Sequence, residues 1–280
     1  MQTVVSGRKT FREKVITLRC MQVPFPLNLH VTFAAERRGG FLATGGQVRS
    51  PVQAIAEPMA FLGIPPISGG MAIDAVIPFK PKNPKTRLSC VMEQEEREAF
   101  ARAMLSDVIA AVQAGGCSPL LLCTAPYDRP DARTLLDPDG LNESLNRLLA
   151  TSKSPVLIIM ADLPLADGAA VSRLVSTAAD MAVVPGRGGG TNAIFLREPS
   201  RFRVNYYGAS FLKHMQIAMD AGLSVDVVDS FRLHTDVDEK EDLVEVLIHG
   251  RGEARRCLES LGFTLSIEGG RVGVKRGAHK

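Results

Sequence analysis

No uninterrupted apolar run in this chain reaches the roughly 18 residues of a membrane span. Its five cysteines (Cys20, Cys90, Cys117, Cys123 and Cys257) form no CxxC pair. That argues against a structural zinc or a disulfide framework and fits a reducing cytoplasm. The phosphate loop GxxxxGK[ST] and the nucleophile elbow GxSxG are both missing. None of the five histidines (30, 214, 234, 249, 279) has metal-ligand spacing to another, so each reads as a surface residue, and Cys123 reads as core rather than nucleophile. A basic nucleic-acid-binding core is missing too. The net charge of +3 comes from residues 1–70, which hold eight Lys/Arg against three acids, whereas the remainder is slightly acidic.

What is present divides at about residue 70. Residues 1–70 show no sustained period and are broken by Pro24, Pro26, Pro51, Pro58, Pro65 and Pro66 and by three Gly-Gly pairs, which reads as loop. The apolar stretches are too short, and the basic residues recur too late, for a signal peptide. This segment is expected to be a poorly structured extension, a stretch upstream of a true initiator at Met71, or a functional arm.

From Met71 onward strand and helix patterns alternate. Apolar runs at 72–78, 120–124, 156–160, 181–184, 191–196 and 223–228 read as strands. Helical spacing covers 93–113, 141–149, 168–177, 208–221, 240–249 and 253–261, and a hairpin is expected over 263–274 around Gly269-Gly270. This order predicts an α/β fold with a mostly parallel sheet covered on both faces, and ligands beyond the strands' carboxyl ends.

Six motifs fall near those ends. The loop after the first strand, IPFKPKNPKTRL, packs Lys80, Lys82, Lys85 and Arg87 into a cationic cluster suited to a triphosphate, or simply to solvent. Asp162 follows the most hydrophobic strand, where a carboxylate can ligate a cation or cap the next helix. Asp236 and Asp238, at i and i+2, can reach one cation such as Mg²⁺, although Asp238 or Glu239 could instead cap the helix near Lys240. The loop Pro185–Asn192 offers three glycines with Arg187 and Thr191 for an anion, or is a flexible hairpin. Asn142 and Asn146 share one helical face and suit a base or ribose, or a helix cap. Tyr206–His214 begins a helix whose N-terminus, with Gly208 and Ser210, can take a phosphate.

Taken in order, IPFKPKNPKTRLS, GLNESLN, ADLPL, VVPGRGGGTNA, YGASFLKH and TDVDEKEDL resemble the 2-phospho-L-lactate guanylyltransferase family of deazaflavin coenzyme (F-420) biosynthesis across residues 71–280. Family members typically begin where Met71 stands. The resemblance implies a Rossmann-like, glycosyltransferase-A-type nucleotidyltransferase fold. It implies transfer of GMP from GTP to 2-phospho-L-lactate, with phosphoenolpyruvate or 3-phosphoglycerate as acceptors in relatives. It further implies Mg²⁺ held by Asp162, Asp236 and Asp238, an acceptor bound at Thr191, Gly208 and Ser210, and a homodimer that passes its product to a downstream transferase. On that basis Lys80, Lys85 and Arg87 are expected to stabilise the departing diphosphate, with Arg187 beside the substrate and Asn142 and Asn146 at guanine or ribose. Other acceptors, a sugar phosphate or a pterin cofactor, and a GTP-binding regulatory module without transfer remain alternatives.

Overall fold

The computed structural model describes residues 73–268 and 270–277. The expectations for residues 1–70 and for Met71 lie outside the described residues.

Seven strands form one sheet in the order β3-β2-β1-β4-β6-β5-β7. They are β1 (Asp74–Phe79), β2 (Ser118–Cys123), β3 (Arg133–Leu136), β4 (Val156–Ile159), β5 (Met181–Pro185), β6 (Thr191–Leu196) and β7 (Val225–Val227). All pair in parallel except β6, which runs antiparallel to both β4 and β5. The helices are α1 (Gln94–Ala114), α2 (Leu141–Thr151), α3 (Gly168–Val175), α4 (Ser210–Asp220), α5 (Phe231–His234), α6 (Leu243–His249) and α7 (Glu253–Ser260). The closing hairpin pairs β8 (Phe263–Glu268) with β9 (Arg271–Arg276), with Gly270 at φ +76° in its turn.

Every residue of β4 and β6 is buried, as their apolar sequences require for strands covered on both faces. One core cluster joins α1 and α3 to one face through Leu105, Val108, Leu157 and Val171. A second joins α2 and α4 to the other through Leu145, Leu149, Ile158 and Ala218. A third lies between α1, α6, α7 and the hairpin, around Phe100, Val246, Leu258 and Phe263.

The sequence gives no sign of β3, because Arg133–Leu136 has no inward apolar face and all four residues are exposed on the sheet edge. The segment expected as one helix over 240–249 begins with a 3-10 turn at Lys240–Asp242 before α6. There Glu239 and Asp242 form a capping box, so the helix-capping alternative holds for Glu239.

Two features of the topology build the site. The chain leaves β1 toward β2 and β3 and then returns to β4 on the other side, so the strand order reverses between β1 and β4. The loops after those two strands therefore face each other across the crevice where such sheets bind ligands. Because β6 runs backward, its first residue, Thr191, pairs with the last residue of β5, Pro185. The glycine loop thus opens at the same rim as Asp162.

Candidate active site at the strand-end rim

Lys85 is the centre of charge. Its Nζ lies 2.6 Å from Asp162 Oδ2 and 2.6 Å from Asp238 Oδ1, joining the loop after β1 to the loop after β4 across the crevice. Burial opposes the ammonium charge, but the two carboxylates outweigh it and hold its pKa above the ordinary lysine value. The backbone carries strain to achieve this, since Asn83 and Lys85 sit at φ +47° and +50°.

Arg97, buried on the first turns of α1, pins that loop. It donates to Asn83 Oδ1 (2.9 Å), Met92 O (3.0 Å) and Pro84 O (3.4 Å). Arg87 stands at the rim, 3.9 Å from Asp238 and 3.7 Å from Glu239, and Lys80, directly after β1, is exposed.

The segment bearing Asp236 and Asp238 is docked by a backbone bond from Val237 N–H to Asp162 O (3.0 Å), with the Val237 side chain sunk in the core. The flanking carboxylates point to different partners. Asp236 Oδ1 accepts from Asn192 Nδ2 (3.3 Å) and Arg187 N–H (3.4 Å). Burial, then the charge of Asp162, raises the Asp236 pKa.

The three-carboxylate ligand set expected from the sequence is therefore not formed as one cluster. Among the described residues no three His, Cys, Asp or Glu side chains converge on a common point. The reason is electrostatic: the ammonium of Lys85 already bridges Asp162 and Asp238, and Asn192 draws Asp236 aside. The donor chemistry nevertheless suits a hard cation. Asp162 Oδ1 is buried without a hydrogen-bond partner, and Asp236 is close enough to feel its charge. Mg²⁺ takes one or two carboxylates and completes its shell with phosphate oxygen and water.

Asn192 was not singled out in the sequence. It donates from Nδ2 to Leu233 O and His234 O, both at 3.0 Å, as well as to Asp236. A Cβ at Gly186 would stand 2.1 Å from Asn192 Oδ1, so glycine there admits this amide. Gly188 and Gly189 take φ +65° and +83°. Arg187 turns its guanidinium to Asp242. As the side chain is placed, it braces the loop rather than reaching toward a substrate.

Asn142 and Asn146 meet backbone. Each amide clamps one residue of the extended segment that precedes α4. Asn146 accepts from Val204 N–H (2.8 Å) and donates to Val204 O (3.1 Å); Asn142 does the same with Tyr206 (2.7 and 3.5 Å). Among the described residues the segment has no strand neighbour, and the two amides on one face of α2 satisfy part of its backbone instead. Each amide thus gives one donor and one acceptor to the protein's own backbone.

Thr191 and Ser210 are brought together, with Oγ atoms 3.2 Å apart, and both residues are buried, at 4% and 2% exposure. Gly208, at φ +60°, lies just before α4. Their third partner is His214, which was expected at the surface and is instead completely buried. Its Nδ1 is 2.9 Å from Thr191 Oγ1 and its Nε2 accepts from Asn205 N–H at 2.9 Å. Burial, with a smaller effect from the Lys213 charge, lowers its pKa to about 4. One turn of α4 separates it from Ser210, the i, i+4 signal that could have found it. Cys123 is buried, as expected, and its thiol pKa is raised to about 11 by burial. No helix among the described residues is long and apolar enough to cross a membrane.

Comparison with known proteins agrees with this geometry. Residues 73–277 match the family described as "Guanylyl transferase CofC like". A 2-phospho-L-lactate guanylyltransferase of Methanoregula boonei is 58% identical over 206 residues, 74% of this chain and 96% of that protein. Its counterpart in Methanoculleus marisnigri is 57% identical over 212 residues, 75% and 99% of the two chains. A solved structure from Desulfovibrio desulfuricans G20, described as a nucleotide-diphospho-sugar transferase, superposes with a TM-score of 0.57 at 17% identity and covers 68% of this chain and 95% of that one, a likeness of fold. With 205 matched residues that include every element of the rim, the chain belongs to the guanylyl transferase CofC-like family.

Proposed function

We propose that this chain transfers GMP from GTP to 2-phospho-L-lactate, releasing diphosphate and forming lactyl diphosphoguanosine. The observation that carries the reading is the 58% identity to a relative of that name over 96% of its length. The crevice chemistry supports it. An oxygen of the acceptor phosphate bonds to the α-phosphorus of GTP while the bond from that phosphorus to the β-phosphate bridging oxygen breaks, and the electron pair leaves with diphosphate.

The acceptor phosphate is already anionic at neutral pH, so the reaction calls for charge neutralisation and alignment rather than a strong base. A divalent cation, Mg²⁺ in this proposal, would be held by Asp162 and Asp236 and would supply charge neutralisation at the phosphates. Asp238 faces the same crevice and keeps Lys85 in place. Lys85, with Lys80 and Arg87 at the open edge, stabilises the diphosphate as it departs. The backbone N–H groups of Gly188 and Gly189 and the hydroxyls of Thr191 and Ser210 would bind the acceptor, with Gly208, at φ +60°, giving the chain the turn into α4.

A diphosphate-release assay tests the reading, with GTP offered alongside 2-phospho-L-lactate, phosphoenolpyruvate, 3-phosphoglycerate and a sugar phosphate. The expected result is turnover with GTP and a phosphorylated three-carbon acid, highest for 2-phospho-L-lactate. Faster reaction with the sugar phosphate would replace the acceptor class, and GTP binding without diphosphate release would leave a binding module. The homodimer would draw on the exposed Leu265, Ile267 and Val272 of the β8–β9 hairpin; sedimentation velocity checks it.

A further inference from the structure

The buried trio Thr191, Ser210 and His214 holds more hydrogens than it can use. A backbone N–H can only donate, so the bond from Asn205 N–H fixes His214 Nε2 as the acceptor nitrogen. The neutral imidazole then carries its proton on Nδ1 and donates it to Thr191 Oγ1, 2.9 Å away. Edge-on contact with the Tyr206 ring, at 4.9 Å between centroids, and tilted contact with Phe202 hold the imidazole plane. Thr191 and Ser210 share one further bond.

Two hydrogen bonds thus join three groups that bring three hydrogens: one imidazole N–H and two hydroxyls. Whichever hydroxyl donates to the other, one O–H is left, and among the described residues no protein acceptor meets it. The opposite imidazole tautomer would have let Thr191 donate inward and moved the surplus hydrogen to Nε2, against Asn205 N–H. The pair stands where β6 and α4 begin, so the leftover donor and the positive end of the helix dipole favour the same kind of ligand, an anionic oxygen.

We infer that His214 is a positioning residue that locks the Thr191–Ser210 hydroxyl pair as an outward hydrogen-bond donor to an anionic oxygen of the acceptor. This rests on the proposed placement of the acceptor at Thr191 and Ser210. His214 never touches the substrate. It decides the direction in which the hydroxyls point, and so makes the pair select an acceptor oxygen over a donor group.

Two measurements test this. Long-range ¹H–¹⁵N spectra of the labelled wild-type chain at neutral pH, with His214 assigned by its loss in His214→Phe, are expected to show protonated Nδ1 and bare Nε2. In steady-state assays with 2-phospho-L-lactate, His214→Phe is expected to raise the acceptor KM by roughly 10-fold, the factor lost with one hydrogen bond to a charged group. The KM for GTP should stay within about 2-fold, and Thr191→Val with His214→Phe should be no worse than Thr191→Val alone, since residues acting through one group are not additive. An Nε2-protonated imidazole, or factors that multiply in the double variant, would overturn the role of His214. A normal acceptor KM in Thr191→Val would instead remove the acceptor placement beneath it. If His214→Phe does not fold, the wild-type spectrum and Thr191→Val still decide the matter, with the histidine assigned through its contact with Tyr206.

Discussion

The two halves of the rim solve the problem of an anionic ligand in opposite ways. Around Lys85 the crevice is built from full charges: an ammonium, three aspartates and Arg87, with one carboxylate oxygen of Asp162 left bare. Around Thr191 it is built from neutral groups whose hydrogen bonds close on one another, apart from a single hydroxyl proton. On the proposed function, charge belongs on the side that would neutralise a polyphosphate and stabilise the departing diphosphate, and neutral, buried donors belong on the side that would place a small acid in one orientation. The first half can rearrange by exchanging counter-ions, whereas the second is fixed by packing.

The largest expected effect comes from the charged half. Asp162→Asn removes the charge at the switch point while keeping the shape, and turnover should fall by about 100-fold or more with the far-ultraviolet dichroism unchanged, as for other losses of charge stabilisation in a dry site. Near-normal turnover would take Asp162 out of the chemistry. Lys85→Met should lower turnover by about 10-fold or more. It leaves Asp162 and Asp238 facing each other without their cation, so Mn²⁺ should raise the melting temperature of this variant more than that of the parent. Equal shifts would show that Lys85 is not the counter-ion of those carboxylates.

On the neutral side the effects pass from turnover to stability. Asn146→Ala strands the N–H and C=O of Val204, and urea unfolding should register a loss of about 1–3 kcal/mol, the cost of unpaired polar groups, with the KM for GTP unchanged. A raised KM at full stability would return Asn146 to the nucleotide.

The smallest effect is a slope. His214 is held neutral down to about pH 4, against an ordinary value of 6.5, by burial and by the Lys213 charge; the other groups packed on it, Tyr206, Thr191 and Ser210, carry no charge at these pH values. Between those values the unfolded chain binds a proton that the folded chain refuses, so stability is complete above pH 6.5 and falls as the pH drops toward 4. His214→Phe should flatten that part of the stability profile by up to about one proton's worth of slope. An unchanged slope would mean the imidazole titrates as it does in water.

Much of this was legible in the residues. Buried strands announced themselves as apolar runs, and β6 begins and ends where TNAIFL does. Asp162 could be placed because a carboxylate after VLII must meet a ligand or a charge, and it meets Lys85. The edge strand β3 was invisible because it buries nothing. The backbone contacts of Asn142 and Asn146 were hidden because one helical face is all a sequence can show; that this face meets an unpaired stretch of backbone depends on how α2 packs. His214 escaped because its one local cue, the i, i+4 spacing from Ser210, does not say which face of α4 is buried.

Composition and pattern by themselves determined the alternation of strand and helix, the mostly parallel sheet and the strand-end placement of the charged motifs, since these follow from local spacing and from the cost of burying a carboxylate. Only the tertiary structure decided that Lys85 and Asp162 face each other across the point where strand order reverses, that an antiparallel β6 brings Thr191 to the same rim, and that a buried imidazole meets the Thr191–Ser210 hydroxyl pair. Those are relations between residues 19 to 77 positions apart. Distance along the chain hides them, and packing alone closes it.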